Sequence, residues 1–291
     1  MPLPGDPLAD ASAAARAAGV EVRELSSIEE LQAAAGLFGL VWGRPESPPV
    51  TMELLRALSK AGNYVAGTFE DGRLVGAAAA FFEAPASRSM HSHIGAVVPD
   101  AAGRGAGRAL KLHQRVWALE RDVTTIAWTF DPLIRRNAYF NLVKLGARPV
   151  EYLRDFYGDM TDLINAGDRS DRLLVHWELL DADVAAAARG TYRTASAEAE
   201  RHAGATVALD IGESGEPVPR DQGTVGRVLV AVPPDVEGLR RSDPGLAGAW
   251  RLALRDVLSA SLAAGGRVTG FDPAGWYVLD LPPGTEGEAA S

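Results

Sequence analysis

A chain of 291 residues with a formal charge of −9 lacks the basic surface that non-specific nucleic-acid binding needs. Its 47% hydrophobic and 23% charged residues are ordinary globular composition, and the length suggests about two domains. With no cysteine there is no disulfide, thiolate zinc site or cysteine nucleophile, which fits a cytoplasmic protein.

Residues 1–19 have no basic start and no sustained apolar stretch, so an N-terminal arm or weak helix is expected there rather than a secretory signal. No apolar run reaches the ~18 residues of a membrane span, so no membrane partner is expected. Residues 20–25, VEVREL, alternate as a strand, and Ser27 with Glu30 forms a capping box opening a helix to about Trp42. After the loop GRPESPPV, the segment TMELLRALSKAG reads as a helix stopping at Gly62. Two strands follow, joined at Asp71-Gly72, a strong hairpin signal. The loop APASRS then leads into the strand MHSHIGAVV.

That strand feeds a turn holding Gly103, Gly105 and Gly107, followed by a helical pattern to about Arg121. Ala109, Leu112, Val116 and Leu119 share one face of this helix. Arg104, Arg108, Lys111 and Arg115 share another, read as a solvated basic stripe in which only the two arginines nearest the turn could neutralise phosphate. Next comes a buried strand, VTTIAWTF, in which Trp128 and Phe130 share a face and read as core. Asp131-Pro132 supplies an N-cap and a first-turn proline for a helix ending at Leu145, with Gly146 as its stop. RPVEYLRDFYG and RLLVHWEL are two further strands.

Residues 181–222 shift to Ala, Gly, Glu and Asp with weak periodicity and read as a linker with room for one helix. Residues 223–291 form a second unit: a strand at GRVLVAV, a helical stretch from VEGLRR, and Asp243-Pro244 opening a long helix. Strands at RVTGF and GWYVLDL close it before the tail PPGTEGEAAS. Trp250 and Arg251 read there as helix packing and surface charge. This unit would either cover the acceptor side of the first or pair two copies of the chain as a homodimer.

A strand, a glycine turn and a helix start make an anion site, because unpaired N–H groups and the positive helix end point at one spot. Glycine lets the backbone approach a phosphate with no Cβ in the way. The P-loop pattern G-x-x-x-x-G-K-[ST] and the dinucleotide pattern G-x-G-x-x-G are both absent.

AGRGAG at 102–107, followed by RAL and preceded by VVP, resembles the acyl-CoA turn of the GNAT N-acetyltransferases. The order of elements from 20 to 180 is similar to that family's fold. WTFDPL, RNAYFNLVKLGA and RLLVHWEL look more narrowly like a little-characterised two-domain branch of it. Two departures stand out: Ala102 where the family usually carries Arg or Gln, and Leu142 where it usually carries the tyrosine acid. The fold expected is therefore α/β (α+β), a mixed, mostly antiparallel sheet flanked by helices over residues 20–180, with a smaller C-terminal α/β lobe.

The resemblance implies acetyl-CoA, or another acyl-CoA, as cofactor. Its pyrophosphate would rest on the amides of Arg104, Gly105, Ala106, Gly107 and Arg108. Its pantetheine arm would lie between the splayed ends of MHSHIGAVV and VTTIAWTF, held by the backbone of Ala96, Val97 and Val98, with Gly95 as the bulge that opens the splay. Asn137 and Asn141 could bond the arm, and Tyr139 could replace the absent tyrosine acid.

Acyl transfer to an amine needs a neutral amine, and deprotonating a lysine-like ammonium at pH 7 costs about 4–5 kcal/mol. A general base supplies that step. His91 and His93 share one side of their strand; His93, nearer the turn, is the first candidate, and Glu83 on the neighbouring strand is the second. No histidine motif for a metal is present. The expected reaction is direct transfer of acetyl, or another short acyl group, from CoA to a small-molecule acceptor, an amine. The rival is a non-catalytic acyl-CoA-binding or sensing module.

Overall fold

The computed structural model describes residues 5–158, 168–192, 194–221, 223 and 225–282. The chain opens with α1 (Pro7–Ala18), β1 (Glu21–Glu24), α2 (Ile28–Val41) and α3 (Met52–Lys60). The hairpin β2 (Tyr64–Glu70) and β3 (Arg73–Phe82) leads to β4 (Ser89–Val97), α4 (Ala106–Leu119) and β5 (Thr125–Phe130). Next are α5 (Arg135–Ala138), continued by a π-helical turn over Tyr139–Lys144, then β6 (Arg148–Leu153) and β7 (Arg172–Glu178). The remainder is α6 (Ala182–Ala188), α7 (Ala197–His202), β8 (Thr206–Ile211), β9 (Pro217–Pro219), β10 (Gly226–Ala231), α8 (Val236–Ser242), α9 (Pro244–Ala263), β11 (Arg267–Asp272) and β12 (Trp276–Leu281).

The local signals act as expected. Ser27 Oγ accepts from the Glu30 amide, and the Glu30 carboxylate accepts from the Ser27 amide, closing the capping box of α2. Asp71 and Gly72 both take positive φ, +49° and +78°, which a two-residue hairpin with right-twisted strands requires. Gly146 ends the π turn at φ +73°.

The first sheet runs β1-β2-β3-β4-β5-β7-β6 and is antiparallel except between β4 and β5. The second runs β11-β12-β10-β8-β9, with only β8 and β10 parallel. The expected mixed, mostly antiparallel sheet with a smaller α/β lobe is therefore borne out. One face of the first sheet packs on α2 and α3 through Leu31, Phe38, Leu55, Val75, Ala79 and Ile94. On the other face, a continuous buried cluster runs from Met90, Ile126 and Trp128 through Trp177 to Trp250, Leu254 and Tyr277 of the second lobe.

Two sequence expectations change. The arm at 1–19 is, from residue 5, an ordered helix start: Asp6 caps α1 by accepting from the Leu8 and Ala9 amides, and Ala11 and Ala14 are buried. Small side chains let α1 lie close on α4 without giving a strong hydrophobic period. Residues 181–222, read as a linker, carry α6 and α7, capped by Asp181 and Ser196, and the strands β8 and β9. The expected tail lies outside the described residues from 283 onward.

Asp131 caps a turn, not a helix start. Its Oδ1 accepts from the Leu133 amide at 3.0 Å, and α5 begins only at Arg135. Its carboxylate mainly receives Arg240 of α8 and Arg251 of α9, which also bond Asp168. Arg251, expected as surface charge, is wholly buried. Beside it the Tyr277 hydroxyl donates to the Pro132 carbonyl at 2.7 Å, so the second lobe is pinned to the end of β5.

Candidate functional site

The parallel pair β4/β5 is hydrogen-bonded only from Ser89↔Thr125 to His91↔Ala127. Beyond that point the strands part, and the β5-facing edge of residues 92–97 has no strand partner among the described residues. On its other edge β4 pairs with β3, where Ala80 opposes Ser92 and Ala79 opposes Ile94. His93 is the extra residue. The bulge thus falls at His93, not at Gly95, which pairs with Ala78. A bulge re-aims side chains. Ser92 lies toward α4, where it bonds Gln114, whereas His91 and His93 stack on Phe81, ring centroids 5.3 and 5.8 Å away. The two imidazoles are 6.2 Å apart. Burial lowers both histidine pKa values below the usual 6.5, and at His91 the neighbouring His93 adds to this.

Past Val98, a 3₁₀ turn over Pro99–Ala101 leads to Gly103 at φ +77° and Gly105 at φ +97°. Gly105 is the N-cap of α4 and contributes no side-chain cap. The first backbone bond of the helix runs from the Ala109 amide to the Gly105 carbonyl at 2.9 Å, so the amides of residues 106–108 begin α4 without intrahelical partners. A Cβ on Gly105 would lie 3.2 Å from Ala18 Cβ, so the end of α1 borders this turn. A Cβ on Gly107 would meet only Val97 Cγ2, at an ordinary 3.5 Å.

The basic stripe on α4 is not a solvated face: α1 packs along this helix, and Arg108, Lys111 and Arg115 are engaged by the end of α6, by β4 and β5, and by the segment after β7. Arg104 is exposed but forks onto Glu70 at 2.6 and 2.9 Å. Arg108 donates to the Ala187 and Ala188 carbonyls, the C-terminal end of α6, at 3.0 and 2.6 Å, while its buried Nε has no partner. Arg115 is buried on the Leu179 carbonyl.

Lys111 points into the foot of the splay. Its Nζ donates to Ser92 Oγ and Gln114 Oε1, both at 2.9 Å, and lies 3.8 Å from the Trp128 ring centroid. Burial pushes the amine down to about 7. Trp128 is held in turn by its indole N–H donating to Asn141 Oδ1 at 3.2 Å, and by an edge-on contact with Trp177. Sequence reasoning missed Ser92, Lys111 and Gln114. The alternation of β4, which sets Ser92 opposite His91, and the i,i+3 spacing of Lys111 and Gln114 were the available signals.

The other candidates scatter. Glu83 accepts from Ser89 Oγ at 2.6 Å and sits at the paired end of β4, away from the glycine turn. Tyr139 lines a cavity of about 300 Å³ between the lobes, with Arg135, Arg136, Asp235, Glu237 and Pro273. Arg136 and Glu237 pair across that cavity. Asn137 is partly buried on α5. Asn141 is engaged with Trp128, so its amide serves the core first.

No family model matches the chain, and no curated protein matches it in sequence. Solved structures do match it. An N-acetyltransferase from Staphylococcus aureus Mu50 is 17% identical with a TM-score of 0.46, over 55% of this chain and 98% of that one. The ribosomal-protein-alanine N-acetyltransferase from Brucella melitensis is 19% identical with a TM-score of 0.46, over 54% and 98%. An acetyltransferase of the GNAT family from Streptococcus pneumoniae is 13% identical with a TM-score of 0.45, over 54% and 97%.

Proposed function

We propose that the protein is an acyl-CoA-dependent N-acyltransferase of the GNAT type, moving acetyl or another short acyl group to the amine of a small acceptor. The observation that carries this reading is the continuity of two features. The unpaired edge of β4 leads directly into a turn that ends at the uncapped mouth of α4. The first would bind an extended amide-containing arm as a strand is bound, and the second would bind a diphosphate.

The residues present fit such a cofactor. The amides of residues 104–108 offer donors at the helix mouth, although Arg104 would have to leave Glu70, and Arg108 the α6 carbonyls, to join them. Ala96, Val97 and Val98 offer backbone groups along the arm. When bound, the cofactor supplies an activated acyl group as a thioester. The protein's part is to hold that group against the acceptor and manage one proton. His93, at the bulge and neutral at pH 7, is suited to take the proton of an acceptor approaching over Phe81. Glu83 and Tyr139 are less well positioned for this work.

A second reading, an acyl-CoA sensor without turnover, is favoured by Arg108 serving α6 and by α1 bordering the turn. Incubation with acetyl-CoA and a panel of amines, following free thiol, separates the two. Acceptor-dependent thiol release supports the transferase, and tight binding with no release for any amine supports the sensor.

A further inference from the structure

The buried amine of Lys111 has no part in the reaction proposed above, yet it stands at the foot of the same cleft. Its backbone position lies about 7.5 Å along α4 from Ala106, taking 1.5 Å per residue. We infer that Lys111 is the protein's own acylation site: in the absence of an acceptor, its Nζ takes the acyl group from the bound thioester. This rests on the acyl-CoA reading of the cleft.

Two independent observations support it. The first is the cradle: Ser92 Oγ and Gln114 Oε1 fix Nζ at 2.9 Å each, at the residue where β4 loses β5 as a partner. The second is an orphan. Gln114 is fully buried, its Oε1 bonds both Ser92 and Lys111, and its Nε2 has no acceptor. An acyl group on Lys111 would bring a carbonyl oxygen to that donor. The groups facing the amine are Ser92 of β4, Gln114 of α4, Trp128 of β5 and Trp177 of β7, while His91, on the opposite face of β4, is near enough for the two charges to repel. Among the described residues no carboxylate forms an ion pair with it. Burial brings the amine to about 7, so near neutral pH a large fraction is unprotonated and nucleophilic.

The step balances simply. The Lys111 lone pair attacks the thioester carbonyl carbon, a C–N bond forms and the C–S bond breaks. The sulfur leaves with the proton lost from nitrogen, as free thiol. The product is a neutral amide, which cannot accept a second acyl group, so one turnover per chain is the limit. Ser92 is the weaker nucleophile of the pair, since its hydroxyl already donates to Gln114.

The sequence makes the test clean, because the chain has three lysines, Lys60, Lys111 and Lys144. The full chain is incubated with acetyl-CoA alone from pH 6 to 9 and analysed by intact mass and peptide mapping, while calorimetry measures CoA binding. The expected result is a single hydroxylamine-stable acyl group on Lys111, formed at least about tenfold faster than on exposed Lys60 at pH 7. Its rate should rise with pH and level off above about 7. Lys111→Arg should abolish it, and mapping of the unaltered chain stands even if that variant fails to fold. CoA binding without acyl-Lys111, equal labelling of Lys60 and Lys144, or a hydroxylamine-labile ester on Ser92 would each overturn the inference. Absence of CoA binding would overturn the acyltransferase reading itself, and this inference with it.

Discussion

Arg251 Nη1 and Nη2 meet Asp131 Oδ1 and Oδ2 at 2.9 and 2.8 Å, a bidentate pair buried between the end of β5 and α9. Burial alone would raise the Asp131 carboxyl. Arg251 and Arg240 instead hold it well below the ordinary carboxylate range. Replacing one partner strands buried charge, and such losses run to about 3–5 kcal/mol. Asp131→Asn is therefore expected to lower urea stability by about that amount. Because one core spans both sheets, unfolding is expected as a single transition. Two separate transitions, or a loss under about 1 kcal/mol, would contradict this coupling.

The same pair gives a pH dependence. A carboxyl with a depressed folded pKa stabilises the fold fully above its unfolded value near 3.9, and that stability is lost as pH falls toward the folded value. The stability lost between pH 5 and pH 2 is expected to be smaller in Asp131→Asn than in the unaltered protein, measured by urea midpoints.

His93 as base leads to a directional pH profile. Burial lowers its pKa below 6.5, so the neutral, proton-accepting form dominates at pH 7 and activity should fall only in more acid solution. His93→Ala is expected to reduce turnover by about 10²-fold with CoA affinity retained. Wild-type turnover in that variant would remove His93 as the base.

Tyr139 faces the cavity between the lobes, not the foot of the splay. Tyr139→Phe is expected to leave thiol release within about twofold of wild type, whereas a loss of some 10²-fold or more would restore it as the acid.

What the sequence disclosed, and what it hid, follows from the range of each interaction. Ser27 with Glu30, Asp71-Gly72 and Gly146 act within a few residues, and their turns and caps were legible. The glycine turn and the strand before it were legible for the same reason. The bulge was misplaced at Gly95 because a bulge is set by pairing with β3, not by glycine itself. Lys111 and Arg115 read as a solvated stripe because their partners, Ser92 and Trp128 for one and the Leu179 carbonyl and Asp10 for the other, are distant in sequence, and the alanine-rich α1 that covers this side gives little periodic signal. Arg251 and Asp131 lie 120 positions apart, a distance over which no local pattern links them.

The most direct measurement is calorimetric titration of CoA into the wild-type chain and Gly107→Asp. At Gly107 an added Cβ meets only an ordinary contact with Val97, so the fold should persist while a carboxylate enters the helix mouth. Saturable binding to wild type, weakened at least about tenfold by the charge at a position where helix-end electrostatics act, is the result expected. Equal affinity in both chains, with circular dichroism unchanged, would place the diphosphate elsewhere and remove the basis for acyl transfer at this turn.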